Sequence, residues 1–207
     1  MPRCILRLVA LWAALLATSP SVHAETLLLC GMAEVFEIDV AAAAKGEVKK
    51  LWSWRAADRE ELPEAIRKRF GTTDECKPID GGKRVLISSS SGGCALVERP
   101  SGRVLWYAAV PNAHSVEQLP GNRVVVAASV HAAGNRLSVF DLNRSETPIS
   151  EVPLVSAHGV VWDARRERLW VSASTSYCDC ACRIGRPTRR RSPSKPSSHY
   201  PAAADTI

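Results

Sequence analysis

The chain repeats a pattern of short apolar strands at a spacing of about 40 residues. One copy of the repeat starts at Glu75, a second starts 39 residues later at His114, and a third starts at His158. Each copy leads through a polar turn and a basic residue into an apolar strand: Val85-Leu-Ile-Ser, Val124-Val-Val-Ala and Leu169-Trp-Val-Ser. A unit that recurs at this spacing predicts a stack of similar supersecondary units, each packed on its neighbours.

Each complete copy contains four short strands. The third strands are Ala95-Leu-Val-Glu and Arg136-Leu-Ser-Val-Phe-Asp141, and the fourth are Val104-Leu-Trp-Tyr-Ala-Ala and Ile149-Ser-Glu-Val. Turn residues such as Gly81-Gly82 and Pro120-Gly-Asn122 separate the strands, as hairpins require. A β-sandwich also has many short strands, but it does not repeat the same turn before the same strand. The sequence therefore predicts an all-β fold, a β-propeller built from four-stranded blades.

The first blade begins at its second strand. Leu27-Leu-Leu-Cys30 matches the second strand, residues 34–39 match the third, and residues 48–54 match the fourth, so the chain holds about three and a half blades. Propellers commonly close by borrowing such a missing strand from the other end of the chain. One insert, at about residues 62–70, carries Leu62, Ile66 and Phe70 at helical spacing and predicts a short helix.

Residues 1–24 have the pattern of a secretory signal peptide. Arg3 and Arg7 precede a ten-residue apolar run, and the small residue Ala24 ends the segment. Ten apolar residues are too few to span about 30 Å of hydrocarbon. We therefore expect cleavage after Ala24, export to the periplasm or the extracellular space, and no transmembrane segment in the mature chain.

From Tyr177 onward the composition changes to Cys, Arg, Pro and Ser, which predicts a disordered basic tail over residues 177–207. Two functional alternatives for the tail are a soft metal bound by Cys178, Cys180 and Cys182, and an arginine-rich arm that contacts an anionic polymer or a membrane surface. A third hypothesis is a frameshift near Val171 in a longer propeller gene, because another reading frame there can encode a further blade strand.

The positive net charge belongs to the two ends of the chain. The whole sequence carries +6, but residues 25–176 contain 19 basic and 19 acidic side chains. A body with no net charge lacks the electrostatic signature of a nucleic-acid-binding protein. The sequence therefore predicts no nucleic-acid partner for the body, and leaves a small molecule or a protein as the partner.

Several strands resemble those of known propellers. Residues 46–52 and 102–106 resemble the Gly-x-Val-x-Trp outer strands of quinoprotein-like propellers. The strand after Leu119-Pro-Gly-Asn-Arg123 is similar to strands of NHL-type and gluconolactonase-like propellers. As a whole, residues 25–170 resemble an uncharacterised family of exported bacterial β-propeller proteins. This resemblance implies a fold but no particular activity.

Glu75, His114 and His158 take equivalent positions before the innermost strands, so we expect them at the mouth of the central channel. A carboxylate and imidazoles suit a divalent metal, which would activate a water for hydrolysis. The resemblance adds that gluconolactonase-like propellers bind a metal in the channel and that arylsulfotransferase-like propellers place functional histidines there. Asp74 and Lys77 flank the site as a candidate base and a candidate anion anchor.

Three functions stay open on this pattern. The chain is a ligand- or partner-binding propeller, a metal-dependent hydrolase or lactonase that uses the channel site, or an inactive truncated product. The same histidines also fit a purely structural role, in which each hydrogen-bonds the backbone of a neighbouring blade. The recurring tryptophans fit packing between blades or a sugar platform.

The body contains three cysteines, Cys30, Cys76 and Cys94, so at most one disulfide can form among them. Export permits disulfides. We expect a bridge between Cys76 and Cys94, because both fall in one repeat. The alternative is that all three are small buried apolar residues.

Overall fold

The structure, a computed structural model, describes residues 25–173 and the backbone of residues 176–180. These residues form strands in chain order: β1 (Thr26–Gly31), β2 (Glu34–Asp39), β3 (Lys50–Trp54), β4 (Thr73–Ile79), β5 (Arg84–Ser89), β6 (Gly93–Glu98), β7 (Val104–Ala109), β8 (Ala113–Leu119), β9 (Arg123–Ala128), β10 (Arg136–Asp141), β11 (Pro148–Pro153), β12 (Gly159–Asp163), β13 (Arg168–Ala173) and β14 (Ser176–Cys180). The signal-peptide prediction for residues 1–24 lies outside the described residues.

The strands form antiparallel sheets in the order β1-β2-β3, β4-β5-β6-β7, β8-β9-β10-β11 and β12-β13-β14. Each sheet is a meander, and we call the sheets blades 1 to 4. The predicted blade pattern is confirmed, and within the described residues blade 1 contains the three strands that the sequence matched to the second, third and fourth strands of a blade.

Strand β14 differs from the sequence prediction, which placed Tyr177–Cys180 in the tail. Its backbone pairs with β13, with Ser172 opposite Tyr177 and Leu169 opposite Cys180. These residues therefore form the third strand of blade 4. The rest of the predicted tail, residues 181–207, is not among the residues that the structure describes.

A separate apolar core lies between each pair of neighbouring blades. Side chains in a strand alternate between its two faces, and β5 shows the result: Val85 and Ile87 pack toward blade 1, whereas Leu86 packs toward blade 3. Both sets are fully buried. The third core lies between blades 3 and 4 around Val125, Val160 and Leu169. Because each central blade is covered on both faces, its strands are apolar at consecutive positions.

The insert between blades 1 and 2 contains the predicted helix in a shorter form. Helix α2 spans Glu64–Arg67, and Leu62, Ile66 and Phe70 around it are all at most 3% exposed. The structure also contains a helix beyond those predicted from the sequence, α1 (Val40–Ala43), whose first turn is capped by the Asp39 carboxylate. An aspartate before an alanine run is a typical start signal for a helix.

One of the contacts that fasten blade 1 to blade 2 is made by the turn at residues 100–102. The Trp52 indole N–H donates to the Pro100 carbonyl at 3.0 Å, and the Trp54 indole N–H donates to the Gly102 carbonyl at 3.1 Å. Trp54 also packs edge-on against Phe70 with 5.4 Å between the ring centroids. The first two blades and the insert therefore share a single packed core.

The two α-helices in residues 25–173 have four residues each. Neither of them, nor any other helix in this part of the chain, is long and apolar enough to cross a bilayer.

Candidate functional site

The inner strands β4, β8 and β12 run next to one another, and their pairing with the second strands fixes which residues are equivalent. Glu75 lies opposite Ser88, Ser115 opposite Ala127, and Gly159 opposite Ser172. The residues that directly precede Glu75, Ser115 and Gly159 are Asp74, His114 and His158, respectively. Asp74 and His114 both fall at a break in the register of their strand pairs.

The predicted equivalence of Glu75 with His114 is therefore wrong by one residue. The turn between β4 and β5 has four residues, 80–83, whereas the turn between β8 and β9 has three, 120–122. Glu75 and His114 lie the same number of residues before Arg84 and Arg123, but an equivalence based on that distance ignores the extra residue in the first turn. The row of equivalent side chains is Asp74, His114 and His158.

Glu75 is held by hydrogen bonds from the neighbouring inner strand β8. Its Oε2 accepts hydrogen bonds from the Ser115 hydroxyl and from the Val116 amide, both at 2.8 Å. Ser115 Oγ in turn accepts from the Val160 amide at 3.1 Å. One carboxylate and one hydroxyl thus connect the inner strands of blades 2, 3 and 4, and this carboxylate oxygen is directed at a neighbouring strand.

Lys77 is held in the same network. Its ammonium lies 3.2 Å from Glu75 Oε1, 3.2 Å from Glu117 Oε2 and 2.6 Å from the Val160 carbonyl oxygen, to which it donates. The Glu117 and Val160 contacts are hydrogen bonds, and the Glu75 contact is an ion pair. Lys77 is therefore an ion-pair partner within this network, which competes with the role of substrate anchor that the sequence suggested.

The two predicted histidines do come together. The rings of His114 and His158 are stacked, with centroids 4.4 Å apart and planes inclined by 25°. His114 Nδ1 is 3.7 Å from Asp74 Oδ1, and His158 Nδ1 is 2.9 Å from Ser129 Oγ. The Asp74 carboxylate also accepts from the Ser90 amide. Asp74 and His158 of this row are thus hydrogen-bonded to the residues that directly follow β5 and β9.

This arrangement does not make a metal site. Ring nitrogens point outward in the plane of each ring, so two stacked imidazoles direct their lone pairs along parallel lines and not at one ion about 2.1 Å away. Glu75 directs one oxygen at blade 3 and the other at Lys77. Within residues 25–173, no three His, Cys, Asp or Glu side chains form a group suited to a metal ion.

The predicted Cys76–Cys94 disulfide is wrong in this structure, where Cys30, Cys76 and Cys94 are all free. Cys76 lies opposite Ile87 in β5, and Cys94 lies opposite the next residue, Ser88. The two cysteines are thus two strands apart on opposite faces of the sheet: Cys76 packs toward blade 1 and Cys94 toward blade 3. No disulfide can reach across a sheet in this way.

A groove of about 820 Å³ lies between blades 1 and 2. We call it the blade 1–2 groove. Its apolar lining comes from Leu27, Leu28, Leu51, Trp52 and Pro78. Its polar lining includes Glu37, Lys83, Arg99 and the Cys76 thiol. Leu27 and Leu51 are 48% and 43% exposed, so the groove presents apolar surface to solvent. A volume of this size suits a small-molecule ligand.

The charges in the blade 1–2 groove are arranged around Arg99. Its guanidinium forms an ion pair with Glu37 and lies over the Trp52 ring, 4.8 Å from the centroid. The Thr26 hydroxyl donates to the other Glu37 oxygen at 2.6 Å. The Lys83 ammonium has no ion-pair partner in the part of the chain that the structure describes. Counting the described residues alone, the groove therefore carries one uncompensated positive charge.

Sequence reasoning missed this groove. Its residues come from β1, β2, β3, β4 and the two turns after β4 and β6, and they share no spacing. A signal was present only in part, because Trp52 recurs with the outer-strand tryptophans of the repeat. The pairing of Arg99 with Glu37 depends on the packing of two blades, which the repeat pattern alone does not specify.

Four-stranded antiparallel meanders, packed face to face with their first strands side by side, define a β-propeller. The chain belongs to a family of unknown function, DUF6528, whose match covers residues 32–185. No functionally curated protein matches the sequence.

Solved structures that share this fold include WD40 propellers. The WD40 β-propeller domain of Doa1 is 13% identical with a TM-score of 0.55, over 77% of this chain and 47% of that one. A chain of a mitotic checkpoint complex is 7% identical with a TM-score of 0.52, over 69% of this chain and 41% of that one. This chain spans less than half the length of either protein. At these identities the similarity is one of fold.

Proposed function

We propose that this chain is a binding module whose blade 1–2 groove takes a small amphipathic anion, a molecule with an apolar body and one negatively charged group. The observation that carries the proposal is an exposed apolar groove in which, among the residues that the structure describes, Lys83 is the one cation without an ion-pair partner. A concave apolar surface supplies most of the affinity for such a ligand, and a few fixed polar groups orient it.

The shape of the groove supports this ligand class. Leu27, Leu51 and the Trp52 ring form an apolar surface that faces solvent in the free protein. The apolar body of the ligand would pack against this surface. The Arg99 guanidinium is already paired with Glu37, so the charge left to attract an anion is that of Lys83. A cationic ligand of the same length would meet Lys83 as a like charge, which disfavours it.

Isothermal titration calorimetry with sodium octanoate and with octylammonium chloride tests the proposal. We expect octanoate to bind with one site per chain and octylammonium to bind at least about fivefold more weakly. Lys83→Glu should weaken octanoate binding by a similar factor. Lys45→Glu is the matched control, because Lys45 is also exposed and does not line the groove.

Equal binding of the two ions, no binding of octanoate, or equal effects of the two lysine variants would overturn the proposal. Circular dichroism of each variant, with an unchanged β-type spectrum, establishes that a change in affinity is not a loss of fold.

We also propose that the protein is exported. The proposal rests on the basic start, the short apolar run and the small residue at position 24. Intact-mass analysis of the protein from fractionated bacterial cells checks it. The expected chain begins at Glu25 and is found outside the cytoplasm, and a chain that keeps residues 1–24 in the cytoplasm contradicts it.

A further inference from the structure

Cys30 and Cys76 face each other across the boundary between blades 1 and 2. Cys30 lies in β1 and Cys76 in β4, and both pack against the core that these two blades share. Each of the two thiols is the largest influence on the pKa of the other. Two cysteines that are distant in sequence are therefore neighbours on two different sheets.

The backbone beside this pair is fixed. The Thr73 amide donates to the Met32 carbonyl at 2.7 Å, and the Thr73 hydroxyl donates to the same carbonyl at 3.0 Å. Thr73 is three residues before Cys76, and Met32 is two residues after Cys30. The two strands are thus anchored to each other close to the thiols, so little backbone movement is needed to bring two sulfur atoms together.

The two thiols differ in reactivity. The hydrogen bond from the Cys76 thiol holds the pKa of Cys30 below its usual range, whereas the same bond and burial raise the pKa of Cys76. The thiolate is the reactive form of cysteine, so Cys30 is the nucleophile of the pair. Burial raises the pKa of Cys94, which packs on the other side of blade 2 and is fully enclosed.

The pair is also accessible. Cys30 and Cys76 are both partly exposed, and Cys76 lines the blade 1–2 groove. A small oxidant can therefore reach the pair, since Cys30 has exposed surface of its own and its neighbour Cys76 opens onto the groove. By contrast, Cys94 has no exposed surface.

We propose that Cys30 and Cys76 form a reversible disulfide that fastens blade 1 to blade 2 under oxidising conditions. With a low-molecular-weight disulfide as oxidant, the Cys30 thiolate attacks one of its sulfur atoms and releases one small thiolate. The Cys76 sulfur then attacks Cys30 in the mixed disulfide, gives up its proton and releases the second small thiolate. The two protein thiols lose two electrons and two protons, and the oxidant becomes two thiols.

Oxidised glutathione on the purified full chain tests the proposal. We expect a non-reducing tryptic digest to contain one peptide that joins Cys30 to Cys76, and reduction to remove it. Closing a loop of this length should raise the Tm by about 5–10 °C. The rise should persist in Cys94→Ser and be lost in Cys30→Ser and in Cys76→Ser.

The digest of the unmodified sequence decides the matter even if a serine variant folds poorly. A crosslink from Cys30 or Cys76 to any other cysteine, or glutathione adducts that do not resolve into a crosslink, would overturn the proposal. Before oxidation, iodoacetamide should label Cys30 ahead of Cys94, and the opposite order would also contradict it.

Discussion

The Ser115 hydroxyl in blade 3 donates a 2.8 Å hydrogen bond to the Glu75 carboxylate in blade 2. Because Ser115 Oγ also accepts from the Val160 amide in blade 4, one short chain of hydrogen bonds crosses three inner strands. These strands belong to different sheets, so the side chains of Glu75 and Ser115 supply polar contacts that sheet pairing does not.

Replacing Glu75 with alanine should lower the free energy of unfolding by about 2–3 kcal/mol, because the Val116 amide and the Ser115 hydroxyl lose a charged acceptor. Urea denaturation measures the effect. Glu98→Ala is the control, since Glu98 is a surface partner of Arg103 within its own turn, and its removal should have a clearly smaller effect. Equal losses in the two variants would contradict the role given to Glu75.

Gly93→Ala should destabilise the protein by about 1–3 kcal/mol, because overpacking a tight site forces its neighbours to move. A Cβ at this position would lie 2.7 Å from the Arg69 carbonyl oxygen and 2.7 Å from the Phe70 ring. Gly31→Ala provides the comparison, since a Cβ there has no atom within 4 Å. The midpoint of urea unfolding should fall for Gly93→Ala alone, and a similar midpoint for both variants would show that the insert does not pack as described.

Trp54→Phe should lower the free energy of unfolding by about 2–3 kcal/mol, since the change removes buried volume and leaves the Gly102 carbonyl without its donor. Trp54 is 1% exposed, whereas Trp170 is 42% exposed. The same change at Trp170 should therefore shift stability by less than about 0.5 kcal/mol. A larger loss at Trp170 than at Trp54 would be the contrary result.

Mn²⁺ should leave the Tm of the wild-type chain unchanged, and His158→Ala should behave in the same way. The reason is geometric: His114 and His158 are stacked, and Glu75 is engaged by blade 3. Differential scanning fluorimetry with and without the ion measures both proteins. A rise in Tm that occurs in the wild type and disappears in His158→Ala would restore the metal site that the sequence suggested.

The blades were predictable because their signal is local and repeated. Residues 85–88 and 124–127 have the same apolar pattern after the same basic residue, and each forms the second strand of a blade. The site was less predictable, because it depends on register. One extra residue in the turn at 80–83 moves Glu75 out of the histidine row and puts Asp74 in its place. A change of one residue in a strand transfers a side chain to the other face.

The cysteine pairing failed for a related reason. Membership of one repeat places Cys76 and Cys94 in the same blade, but it does not say which face of the sheet each side chain occupies. The strand pairing with Ile87 and Ser88 gives that information, and it puts Cys76 beside Cys30 of the preceding blade. In a propeller, the cysteines of adjacent blades can thus be better partners than two cysteines of one blade.

The turn at residues 100–102 receives both indole N–H groups of blade 1, although it lies at the surface. A Cβ on Gly102 would also lie 3.0 Å from the Arg59 guanidinium, whereas one on Gly121, in the turn after β8, would meet nothing within 4 Å. Insertions and deletions in relatives of this protein should accordingly be accepted at the Gly121 turn and selected against at the Gly102 turn.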